Sequence, residues 1–87
     1  MKKIVNGKLY DTSTATEVDS WWEKGGTYQQ YGEWLYRKQS GEYFLYIDSY
    51  FADRCSIIPI NVEKAKEWVA KYSDADIYAE EWGLPKE

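Results

Sequence analysis

Fifteen carboxylates, one cysteine and no histidine set the chemistry this chain could host. Without histidine, the commonest general base near neutral pH is missing. Cys55 has no imidazole to take its proton, so nothing supports thiolate catalysis. Beside Ser56-Ile57-Ile58 it reads as a small core or strand residue. A single cysteine closes no disulfide within the chain and fits a reducing compartment. The Cys/His spacings of zinc sites are lacking. Carboxylates pair at Asp74/Asp76 and Glu80/Glu81, where the setting is helix capping and a solvated helix face. Asp48 and Asp53 are too isolated to nominate as metal ligands. The glycines fall in turns and match neither phosphate-loop pattern. The expectation is a non-enzyme, with no catalytic residue, no cofactor and no metal.

The chain's other resource is aromatic surface. Aromatics make up 18% of its 87 residues, with five Trp and nine Tyr. Such side chains fill the core of a small domain or, with their polar handles, form interfaces. The net charge of −4 is unevenly placed: residues 1–41 hold six Lys/Arg and five Asp/Glu, residues 42–87 five and ten. This balance disfavours a DNA-binding regulator, which needs a basic stripe. It permits binding to a basic protein surface. No apolar run suits a signal peptide or a membrane span, so a cytoplasmic protein is expected.

These residues need elements to position them, and the stretch from Gly32 to Tyr50 is the strongest. Two aromatic and β-branched runs flank Gln39-Ser40-Gly41, a three-residue hairpin loop with Gly in the left-handed position. That loop pairs Arg37 with Tyr43, Tyr36 with Phe44, Leu35 with Leu45, Trp34 with Tyr46 and Glu33 with Ile47. Alternation then yields an aromatic face (Trp34, Tyr36, Phe44, Tyr46) and an aliphatic face (Leu35, Leu45, Ile47, with Tyr43). Asn6-Gly7 predicts a smaller hairpin pairing Val5 with Lys8 and Ile4 with Leu9.

Asp11 to Thr14 is rich in N-cap residues, and Ala15, Val18 and Trp22 follow at helical spacing. This predicts a short helix over 13–22, ended by Gly25-Gly26, with a loop over 24–31. Residues 55–60 read as a strand whose Pro59 belongs on an edge or at its end. Asn61 caps a helix burying Val62, Ala65, Val69 and Tyr72, with Trp68 beside them. A last helix runs from about Asp74 to Trp82 and stops at Gly83, with Asp74, Asp76, Glu80 and Glu81 facing water. The fold class is α+β in one domain, 1–87. It has a small antiparallel sheet with two to three short helices packed mainly on one face. The aliphatic face is assigned to the helices. The aromatic face is left half-exposed or covered by the N-terminal hairpin.

Three stretches carry a family resemblance: Asn6 to Ala15, Leu35 to Tyr46, and Ile58-Pro59-Ile60 leading into Ala65 and Trp68. In their order and spacing the chain resembles a family of short proteins from phages and bacterial mobile elements. Some of those relatives are anti-CRISPR proteins, notably inhibitors of the type I-C system. After Tyr46 this chain carries Ile47-Asp48-Ser49-Tyr50-Phe51 where relatives often have a Gly-rich loop. The resemblance implies a stoichiometric inhibitor acting in the bacterial host cytosol. It would bind a Cas protein or surveillance complex, block target DNA recognition and not touch nucleic acid itself. Its carboxylates would meet the Lys and Arg of a DNA-reading surface. The expected partner-binding residues are Trp34, Tyr36, Tyr46, Glu42, Asp48, Asp74, Asp76, Glu80 and Glu81. A monomer is expected. The alternative is an accessory or regulatory protein of a mobile element that acts through homodimerisation.

Overall fold

The computed structural model describes residues 1–25, 29–49 and 56–83. Strands β1 (Lys2–Val5) and β2 (Lys8–Asp11) form a hairpin. Strands β3 (Thr16–Gly25), β4 (Gln29–Arg37), β5 (Tyr43–Ser49) and β6 (Ser56–Ile60) form an antiparallel sheet in that order. Helices α1 (Val62–Tyr72) and α2 (Ala75–Trp82) follow β6. The fold is α+β, as expected, with two antiparallel sheets and two helices among the described residues.

The central hairpin has the predicted register at every pair named above. Its loop closes as expected, with the Gly41 amide donating to the Lys38 carbonyl at 2.9 Å and Gly41 at φ 92°. The N-terminal turn also holds: Asn6 and Gly7 both take positive φ, and Val5 faces Lys8. Pro59 lies opposite Phe44 on β6, an edge strand, so its missing N–H costs no interior bond.

The predicted helix over 13–22 is a strand instead. Asp11 Oδ1 accepts from the Ser13 amide at 2.9 Å and the Ser13 hydroxyl at 2.7 Å, and its carbonyl accepts from the Thr14 and Ala15 amides. The residues that looked like a cap thus build a turn between β2 and β3. Beyond it, Thr16, Val18, Trp21 and Trp22 favour extended backbone, and Thr16, Trp21 and Trp22 pair with β4. A bulge between Glu17 and Asp19 breaks the alternation of the strand. Ala15, Val18 and Trp22 do not share one face. Val18 packs toward the helices, and Ala15 packs under the N-terminal hairpin. Of the expected loop over 24–31, residues 24–25 and 29–31 are strand instead, since β3 reaches Gly25 and β4 starts at Gln29, and residues 26–28 lie outside the described residues. Cys55 and Asp53 lie outside the described residues.

Two cores result, one on each face of the sheet. On the aliphatic face, Leu35 and Tyr43 are buried with Ala65, Trp68 and Val69 of α1, and Ile77, Tyr78 and Trp82 of α2 join them. The helices therefore cover the face assigned to them. Asn61 caps α1 by accepting from the Lys64 amide at 2.8 Å, and Asp74 caps α2 by accepting from the Asp76 and Ile77 amides. Val62 differs from expectation. It is exposed, in the first turn of α1 next to edge strand β6.

On the other face, Tyr10, Phe44 and Ile57 are buried together, with Val5, Ala15, Tyr36 and Tyr46 around them. The N-terminal hairpin thus covers one half of the aromatic face. Lys8 reaches Glu42 at 2.9 Å, and the Lys38 ammonium stands 4.3 Å above the Tyr10 ring.

This closure should weaken in acid. Hydrogen bonds from the Ser13 hydroxyl and amide hold the Asp11 carboxyl below its usual range, and Lys8 does the same for Glu42. A folded-state value below the unfolded one gives stability that is full above the ordinary carboxylate pKa. That stability is lost as pH falls through the lower value. Denaturation midpoints should therefore drop as the pH falls through and below the ordinary carboxylate range of about 4. Asp11→Asn keeps the acceptor oxygen and should flatten that slope. Parallel slopes in the two proteins would contradict this role for Asp11.

Candidate functional site

The uncovered half of the aromatic face is the candidate site. Side chains on paired strands share a face when their residues are partners. Trp34 pairs with Tyr46 and with Ser20, and Trp22 pairs with Gly32. Trp22, Trp34 and Tyr46 therefore stand on the same side of three adjacent strands. The Trp22 and Trp34 rings meet edge to face at 4.7 Å and 84°, and Trp34 tilts over Tyr46 at 5.4 Å. Contacts of this kind contribute about 0.5–1.5 kcal/mol each beyond area burial. They hold the strip rigid before any partner arrives. Trp22 is 49% exposed, a large apolar area to leave in water.

Gly32 makes this packing possible. A Cβ there would lie 2.8 Å from Trp34 Cη2 and 3.3 Å from Trp22 Cδ2. Valine ordinarily suits a strand better than glycine. Gly32→Val should nevertheless destabilise by about 1–3 kcal/mol through overpacking, and it should change the near-UV circular dichroism of the tryptophans. An unchanged spectrum would mean that the rings do not rest on Gly32.

The expected partner-binding residues separate into three places. Trp34 and Tyr46 lie in the strip, and Asp48 joins their face opposite Gly32. Tyr36 belongs to the covered half, stacked on Phe44 at 5.2 Å and 11°. Burial, then the nearby Glu17 carboxylate, pushes its phenol pKa up. Glu42 sits at the hairpin tip between Lys8 and Lys38. The four C-terminal carboxylates lie on the opposite, helical layer and split further. Asp76 and Glu80 are exposed, while Asp74 is committed to its cap.

Glu81 does not face water as expected. Its side chain is 12% exposed and accepts from Arg37 Nη1 and, at 2.8 Å, from the Tyr43 hydroxyl. The α2 axis turns this position onto the sheet, and Arg37 on β4 supplies the cation. The Glu81 bond and charge hold the Arg37 guanidinium above its usual range. Desolvation, then Glu81, raises the Tyr43 phenol.

Trp22 is the strip residue that sequence reasoning missed. Read on a helix, it had no register with Trp34. The available signal was the pair Trp21-Trp22, whose adjacent bulky rings suit opposite faces of a strand. Trp21 does point to the helices, against Tyr72 at 4.8 Å.

Among the described residues, no group of three or more His, Cys, Asp or Glu is placed to hold a metal ion. No helix there is long and apolar enough to cross a membrane. No protein-family profile, curated protein or solved structure matches this chain.

Proposed function

We propose that this chain is a stoichiometric protein inhibitor of the anti-CRISPR kind. It docks on a host Cas protein or surveillance complex in the bacterial cytosol and blocks target DNA recognition. The observation that carries the docking surface is the open strip of Trp22, Trp34 and Tyr46, with Trp22 half in water. Rigid aromatics of this kind are the residues that dominate protein interfaces. The target class rests on the family resemblance of residues 6–15, 35–46 and 58–68. The net charge of −4 suits a partner surface built to hold nucleic acid. Asp76 and Glu80 are the C-terminal carboxylates left to steer it, since Asp74 and Glu81 have structural duties.

Phage plaquing on hosts carrying different CRISPR subtypes, with and without this gene, tests the reading. Protection of phage in one subtype, with co-purification of its Cas complex, is the expected result. Equal plaquing in every subtype would sink it.

A second reading, homodimerisation, is favoured by one observation. β3 is a ten-residue edge strand, and Trp22 lies on it. Such an edge invites pairing with another copy, although the bulge at Glu17/Asp19 blunts its first half. Sedimentation velocity at micromolar concentration decides: a clean monomer removes this reading.

A further inference from the structure

Glu33 has a role that the aromatic strip does not use. It lies on the helical face and is only 9% exposed. Trp68 Nε1 donates to its Oε1 at 3.2 Å, and the Tyr31 phenol lies near it on the same strand face. Both groups are neutral, and no ion pair within 4.0 Å involves Glu33 among the described residues. A carboxylate taken this far from water is ordinarily matched by a cation.

Glu33 also lines a groove of about 250 Å³ beside α1, whose walls include Leu45, Trp68 and Tyr72. That volume falls below the range of about 300–1,000 Å³ typical of small-molecule pockets. It suits a single inserted side chain. Two lysines stand at the groove, and both are engaged elsewhere. Lys64 pairs with Glu67 at 3.6 Å, and the Lys71 ammonium lies 4.9 Å from the Tyr72 ring centroid.

We propose that this groove receives an arginine side chain of a partner protein, with Glu33 as its carboxylate anchor. A guanidinium is planar, stacks on aromatic walls and donates two parallel bonds to a carboxylate. Trp68 already holds the Glu33 carboxylate in place. The groove lies on the sheet face opposite Trp22, Trp34 and Tyr46. It therefore defines a second contact, independent of the reading given under Proposed function.

The test is a titration of the folded protein with Nα-acetyl-arginine amide. The reporter is the Trp68 indole N–H signal in ¹H–¹⁵N spectra. A saturable shift is expected, with none from the neutral citrulline analogue or from Nα-acetyl-aspartate amide. Glu33→Gln keeps an acceptor for Trp68 and should bind the arginine probe about tenfold more weakly. Lys64→Gln leaves Glu33 intact, removes a rim cation and should tighten binding, so the proposal stays testable if Glu33→Gln misfolds. No saturable shift would overturn the proposal, as would equal binding of citrulline, a response to the aspartate probe, or unchanged affinity in both variants. No Cas protein is present in this assay, so failure here is separable from failure of the inhibitor reading.

Discussion

Phe44→Ala should remove about 3–5 kcal/mol of stability. A domain of this length has about 4–13 kcal/mol in total, so the variant should sit near the edge of folding. Phe44 is fully buried between the sheet and the N-terminal hairpin, edge-on to Tyr10 at 5.5 Å and stacked on Tyr36. Truncation leaves a cavity whose walls belong to two separate sheets, and neither wall closes without breaking its own pairing. Phe44→Leu fills part of that space and should cost less. Ile4 and Leu9 supply the contrast, because they point outward from the same hairpin at 72% and 52% exposure. Serine at either position should change stability by no more than about 0.5 kcal/mol. Urea denaturation of the four variants measures this. A loss below about 1 kcal/mol for Phe44→Ala would mean that the hairpin does not seal that face.

Trp22→Ala should have the opposite profile, a modest effect on folding and a large one on binding. Its ring is half in water, so truncation removes about half of a tryptophan's burial and one ring contact, a cost of about 1–2 kcal/mol. At an interface the same ring would be fully desolvated. Loss of such an anchor costs about 2–4 kcal/mol, or roughly 30- to 1,000-fold in affinity. Co-purification with the Cas complex and protection of phage should both fall steeply, with the denaturation midpoint lowered only modestly. Trp34→Ala should lose binding and some stability together, since Trp34 bridges Trp22 and Tyr46. Asp76→Asn with Glu80→Gln should mainly slow association and reduce its salt dependence. Wild-type affinity in Trp22→Ala would exclude the strip as the contact.

Much of the fold is legible in the chain wherever the signal is local. Gln39-Ser40-Gly41 sets the hairpin register, and a slip of one residue would exchange its faces. Asn61 and Asp74 mark helix starts because their side chains satisfy amides two or three residues on. Residues 13–22 were illegible for the converse reason. Their turn residues satisfy either a helix cap or an Asx turn. The choice falls to β4, which offers nine partner positions. Trp22 went with that choice, because its place beside Trp34 exists only once β3 is a strand.

The carboxylates show the same division. A helix face read from spacing places Glu80 and Glu81 alike in water. Only the docking of α2 brings Glu81 onto Arg37 and Tyr43, and only α1 places Trp68 over Glu33. The sequence by itself determined that the central hairpin has two unlike faces, since strand alternation is a property of consecutive residues. The tertiary structure alone decided how the aromatic face is divided. Tyr10 and Val5 cover Tyr36 and Phe44, Trp22 and Trp34 stay outside that cover, and Tyr46 joins the two halves. Covering is a contact between distant segments, governed by shape and burial rather than by any local period.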